Sequence, residues 1–192
     1  MRLALLAATL TIAAASTAHA QGAIPKPDSS GYIAANGVSY WFEMHGQGEP
    51  LLLLHGGLGS TGMFGPVLTK LAEQRRVIDV DLQGHGRTTL GARKISLIDI
   101  GNDLATVLQK LGYRQVDAMG YSFGAGAAFR LAVQHPALVR RLVLASGGYA
   151  QDGFYAEMLP QQAQVGAAMA EAMKNTPPWA STCASPTTGR PT

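Results

Sequence analysis

Residues 116–126 read "VDAMGYSFGAG", and this stretch decides the fold. Val116 to Met119 is a short apolar run of strand character. Gly120-Tyr121-Ser122-Phe123-Gly124 follows as G-x-S-x-G, and Ala125, Gly126, Ala127 and Ala128 begin a helix of small residues. A strand that turns at once into a helix needs small residues two before and two after the turning point, because the backbones nearly touch there. The turn holds the serine hydroxyl clear of the main chain. It also aims the amide of Phe123, at a helix start, where a carbonyl oxygen would become negative. Ser122 is the candidate nucleophile, and Gly120, Tyr121 and Gly124 complete the candidate elbow. With 23 glycines in the chain, the string alone also fits a plain strand–helix junction. Its surroundings have to decide.

Those surroundings predict a parallel sheet. Leu51-Leu52-Leu53-Leu54, bounded by Pro50 and Gly56, reads as a strand buried on both faces. Before it, "GYIAANGVSYWFEMHGQGEP" places Asn36-Gly37 between two β-prone runs, a hairpin signal. After it, helical and strand-like runs alternate. A helix is expected over Met63 to Gln74, a strand over Arg76 to Asp81, and a helix from a Ser96 cap to about Leu111. That last helix puts Leu97, Ile100, Leu104, Val107, Leu108 and Leu111 on one face. A strand at Gln115–Met119, a helix at Phe123–Gln134 and a strand at Leu142–Ala145 complete the series. The expected class is α/β: a mostly parallel sheet with helices on both faces and an N-terminal antiparallel hairpin.

Composition bounds the function. The chain has 192 residues, enough for one domain with an apolar core, and is 47% hydrophobic and 14% charged, which excludes a disordered chain. The formal charge is only +3, and Arg75-Arg76 and Arg140-Arg141 are the only basic pairs, each beside an apolar run. No nucleic-acid partner is expected from that distribution. Arg2, the apolar stretch Leu3 to Ala15 and Ala18-His19-Ala20 have the form of a secretory signal peptide cleaved after Ala20. The stretch is too short for a stable membrane span. The expected mature protein is exported, periplasmic or secreted, and Cys183 is its single cysteine, so no internal disulfide is expected.

Two further loops carry polar groups. His55-Gly56-Gly57-Leu58-Gly59-Ser60 follows the leucine strand, and its glycines can turn backbone amides toward an anion. The amide of Gly57 is the expected donor there, with Leu58 the alternative. Asp81-Leu82-Gln83-Gly84-His85-Gly86-Arg87 follows the next strand. Asp81 and His85 are too few for a closed metal site, so this loop reads as a structural turn whose charged groups satisfy one another, and no metal is expected.

Taken in order, the leucine strand with "HGG", then "DLQGHGRT", "GYSFGAG" and "HPALVRRLVLASG" resemble the α/β-hydrolase fold superfamily, in particular its small esterase, lactonase and haloperoxidase-like members. The match runs from about Gly31 to Tyr149. The resemblance implies Ser122 as nucleophile, the amides of Phe123 and Gly57 as the oxyanion hole, no cofactor, and a small-molecule acyl substrate. A serine rather than an aspartate at the elbow disfavours the dehalogenase branch. The implied organisation is a signal peptide at 1–20, a lead segment at 21–30, the N-terminal part of the hydrolase core at 31–148, the start of a helical cap at 149–174 and a disordered or aberrant tail at 175–192.

The chain departs from the family in its triad, which runs Ser, then Asp or Glu, then His. The histidines are His19, His45, His55, His85 and His135, and only His135 follows Ser122, at the expected far end of the elbow helix. Asp152 and Glu157 follow the last strand but read as surface or cap residues, so acid and base are both unassigned. "STCASPTTGRPT" lacks helix or strand logic. A chain that leaves the family near Trp179 by a reading-frame change is expected to end this way, and a short, degenerate core is the other account. The expectation is a serine hydrolase of carboxylic esters or similar acyl bonds with little activity in this form. A non-catalytic binding protein is the alternative. Tyr121 and Phe123 suggest an apolar pocket; substrate and oligomeric state are not specified.

Overall fold

The computed structural model describes residues 25–148. Its sheet grows from the leucine run. Strand β3 (Glu49–Leu54) lies between β4 (Arg75–Val80) and β5 (Val116–Tyr121), parallel to both. β6 (Val139–Ala145) extends the parallel part beyond β5. On the other side, β2 (Val38–His45) runs antiparallel to β4, and β1 (Ser29–Ala35) antiparallel to β2, giving the order β1-β2-β4-β3-β5-β6. Asn36 and Gly37 both have positive φ, 46° and 83°, the backbone of a tight type I′ turn that keeps Ala35 opposite Val38. β1 starts at Ser29, within the segment expected to be a lead.

Alternation along β3 sorts the core into two layers. Leu52 and Leu54 pack with Ile78, Val80, Ala118 and the helices α2 (Leu97–Lys110) and α3 (Phe123–Gln134). Leu51 and Leu53 pack with Val77, Met119 and Leu68 of α1 (Gly65–Ala72). Helices therefore cover both faces, and the sheet is the mostly parallel one that the sequence predicts. Among the described residues no helix is long and apolar enough to cross a membrane.

Where boundaries differ, local chemistry explains it. The helix expected over Met63–Gln74 is a 3-10 turn at Thr61–Phe64 followed by α1, because Pro66 is accepted only in the first turn of an α-helix. Ser96 caps α2 as expected, its hydroxyl accepting the Asp99 amide at 3.4 Å. β6 begins three residues earlier than its apolar run suggests. Arg140 can stand within the strand because its guanidinium bonds Asp117 (2.9 and 3.1 Å) and pairs with Glu49. The expected signal peptide, cap and tail, with His19, Asp152, Glu157, Trp179 and Cys183, lie outside the described residues.

Candidate functional site

The C-terminal ends of β3, β4 and β5 bring the three polar loops together. Gly120 and Gly124 are both needed where β5 turns into α3. A Cβ on Gly120 would run into the carbonyl of Gly124, and one on Gly124 into the carbonyls of Leu54 and His55. Between them Ser122 sits at φ 52°, ψ −114°, a backbone that L-residues rarely adopt. It is exposed, its amide donates to the Ala145 carbonyl at 2.8 Å, and its hydroxyl makes no capping bond to α3. Strain at this residue is what turns its side chain outward instead of into the helix cap.

The 55–60 loop faces the elbow. A Cβ on Gly56 would lie 3.4 Å from the Ser122 Cβ, and one on Gly57 would lie 3.8 Å from the Phe123 Cβ. His55 sets the direction of this loop. Its ring is fully buried, Nδ1–H donates to the Gly56 carbonyl at 2.7 Å, and Nε2 accepts the Leu82 amide at 3.0 Å. Gly59 donates to the same Gly56 carbonyl at 3.1 Å. A trans peptide points its N–H opposite to its C=O. With the Gly56 carbonyl held inward, the Gly57 amide points out, where Gly57 is exposed. Neither Gly57 nor Leu58 gives its amide to a backbone carbonyl among the described residues. Leu58, at φ 61°, adds a second strained backbone to this edge.

The hydrogen bonds at His55 define a neutral imidazole, so its 4.0 Å approach to Asp81 is not an ion pair. Burial is the main cause that holds its pKa down at about 4. Asp81, also fully buried, accepts the amides of Thr61 (2.6 Å) and Arg87 (2.7 Å). The 81–87 loop is a structural turn, but its charges do not pair as the sequence suggests. Arg87 sends its guanidinium to Glu43 at 3.0 Å and over the Trp41 ring, and His85 Nδ1–H donates to the Gln83 carbonyl at 2.9 Å. The His85 ring is stacked on Phe123, with centroids 5.6 Å apart, and lies 5.3 Å from the His55 ring.

No bond of these rings reaches Ser122. His45 is buried on β2, 3.6 Å from Glu43. His135 bonds Asn102 at 2.9 Å and caps the far end of α3, about 18 Å of helix from the elbow. A groove of about 640 Å³ lined by Tyr113, Arg114, His135 and Pro136 lies at that same remote end. Among the described residues no cluster of three or more His, Cys, Asp or Glu could hold a metal. The sequence reading missed the clamp that His55 places on the Gly56 carbonyl. Its signal is the histidine between a buried strand and two glycines.

A family model described as alpha/beta hydrolase fold matches residues 49–183. The chain is 38% identical over 122 residues to 2-hydroxymuconate semialdehyde hydrolase of Pseudomonas sp., covering 62% of this chain and 43% of that protein. It is 29% identical over 133 residues to (E)-2-((N-methylformamido)methylene)succinate hydrolase of Acinetobacter baylyi, covering 69% and 50%. A solved structure of a hydrolase from Pseudomonas aeruginosa shares the fold with a TM-score of 0.63 at 24% identity, over 83% of this chain and 63% of the other. The chain thus spans half or less of the length of these two curated relatives. A family match over well beyond half of the residues places this chain in the alpha/beta hydrolase fold family.

Proposed function

We propose that the chain carries the nucleophilic half of a serine hydrolase that acts on a carboxylic ester or similar acyl bond of a small molecule. The observation that carries this reading is the exposed, strained Ser122 beside the glycine loop of Gly56 and Gly57. In this reading Ser122 Oγ attacks the acyl carbon, and the amides of Phe123 and Gly57 receive the developing oxyanion. The pinned Gly56 carbonyl favours Gly57 over Leu58 as donor. Tyr121, 42% exposed, and Phe123 line an apolar approach. The two relatives named above hydrolyse a semialdehyde and a succinate derivative by name, which supports a small acyl compound as substrate.

The base that would activate Ser122 is not among the bonds of the four described imidazoles. Turnover of the chain as it stands is therefore expected to be low, since an unactivated hydroxyl keeps only the contributions of binding and the oxyanion hole. A non-catalytic binding protein is the second reading, and this same absence of a bonded base favours it. A fluorophosphonate probe separates the two. Slow labelling confined to Ser122 and lost in S122A is the expected result; no labelling of Ser122 after prolonged exposure would establish the binding protein. The N-terminal pattern Arg2, Leu3–Ala15, Ala18-His19-Ala20 supports export, and a mature protein that does not start at Gln21 would refute that part.

A further inference from the structure

Strand alternation turns Val77 and Asp79 of β4 toward α1, and Ile78 and Val80 toward α2 and α3. Val77 sits in the apolar layer of Leu51, Leu53 and Leu68. Asp79 shares that face, is 0% exposed, and neither of its carboxyl oxygens has a hydrogen-bond partner among the described residues. Its cross-strand neighbours are Glu43 on β2 and Leu53 on β3. Asp81 follows two residues on, and His45 stands diagonally across, opposite Val77. Neither ring nitrogen of His45 makes a hydrogen bond among the described residues. Arg87 reaches Glu43, not Asp79, and Glu43 also accepts the Trp41 indole N–H at 3.1 Å. Above this face, the charged Lys70 of α1 pairs with Glu73 in solvent at 2.7 Å.

Among the described residues a carboxylate at Asp79 would have the adjacent Val80 amide as its single weak donor, no cation and two acids for neighbours, an arrangement that leaves most of its desolvation unmet. We propose that Asp79 is held as a neutral carboxylic acid in the folded protein, and that its ionisation is an alkaline release for the face of the sheet under α1. The release reaches the candidate site through Asp81, whose carboxylate ties down the amides of Thr61, at the entry to α1, and Arg87. A charge at Asp79 opposes the charge at Asp81 and loosens both loops. Burial first, then the neighbouring Asp81 and Glu43, raise the Asp79 pKa well above the ordinary carboxylate range. A raised folded pKa means stability that is complete below the unfolded value and lost as pH rises through the folded one. This inference rests on the packing of β4 and stands whether or not Ser122 is a nucleophile.

Urea unfolding of the full chain between about pH 7 and pH 9, above the range in which His55 contributes, tests it, comparing wild type, D79N and E43Q. The wild-type midpoint is expected to shift down with rising pH. D79N loses the greater part of that shift, and E43Q, which removes only the smaller contribution of Glu43, keeps most of it. A D79N slope equal to wild type, or loss of the slope in E43Q but not in D79N, overturns the inference. If D79N does not fold, infrared spectroscopy of the wild type decides. The carbonyl band of a protonated carboxyl group must be present at neutral pH, persist while the midpoint falls, and vanish where that fall levels off. Absence of that band at neutral pH, or a midpoint indifferent to pH, refutes the neutral acid.

Discussion

The two ends of the same four parallel strands are built on opposite principles. At their N-terminal ends, Glu49, Arg75, Asp117 and Arg140 neutralise one another: Asp117 accepts from Arg140 and Arg75, and Arg140 also pairs with Glu49. These hydrogen bonds, Arg140's first, hold the Asp117 pKa down at about 2. At their C-terminal ends the Gly57 and Leu58 amides are without a backbone acceptor among the described residues, and the backbone is strained. Of the four non-glycine residues with positive φ among the described residues, Leu58, Ser122 and Ser146 stand there; the fourth, Asn36, belongs to the hairpin turn. Among the described residues the lower end satisfies its own charges, whereas the amides of Gly57 and Leu58 at the upper end give no bond to a backbone carbonyl. Residues held in costly conformations beside unbonded amides are what a binding edge requires, and a stable scaffold beneath is what lets them persist.

Substitutions that erase the difference between the ends sharpen this contrast. The largest effect is expected for G124A, because the new Cβ meets two backbone carbonyls that cannot move without shifting β3. A loss of about 3 kcal/mol or more is expected, or no cooperative transition in thermal unfolding. Next comes acid. Neutral His55 has a folded pKa of about 4, below its usual 6.5. Its contribution is complete above the unfolded value and is lost as pH falls toward the folded one, a decline of roughly 3 kcal/mol in urea unfolding free energy. H55Q should flatten that decline. A decline that survives in H55Q would mean that the acid-sensitive group lies elsewhere.

Smaller effects distinguish strain from pairing. S122G relieves the positive φ, so it should raise stability by about 1 kcal/mol while abolishing phosphonate labelling. A destabilised S122G would remove the strain from the account. D117N, at the satisfied end, should cost about 1 kcal/mol at neutral pH, reduced by salt because Arg75 and Arg140 are partly open to solvent. The depressed Asp117 pKa adds stability above the ordinary carboxylate range that is lost as pH falls through about 2. Thermal unfolding at two salt concentrations checks the mutant, and labelling of Ser122 should be unchanged in it.

The sequence was most legible where a local rule and the tertiary environment agree. Four leucines between breakers have one good solution, a central strand, and Asn36-Gly37 has one good turn. Gly120 and Gly124 announce the elbow because no other residue fits the contacts they make. Legibility failed where a side chain serves a distant backbone group. That Asp81 would take the Thr61 amide, or that Arg87 would pass over Trp41 to Glu43, depends on β2 lying beside β4, a pairing that no local pattern states. His55 reads as part of a glycine loop until Leu82 is seen to fix its tautomer. Asp79 is a single acid in Val77-Ile78-Asp79-Val80, but only the fold shows that no cation and no side-chain donor meets it among the described residues.

The central claim, that the upper edge is shaped to receive an acyl oxyanion at Ser122, is tested most directly by a crystal structure of the phosphonate-treated full chain. The account predicts phosphorus bonded to Ser122 Oγ, with the phosphonyl oxygen at about 2.7–3.1 Å from the amide nitrogens of Phe123 and Gly57. An unmodified Ser122, or an adduct whose oxygen points to solvent away from both amides, would contradict it.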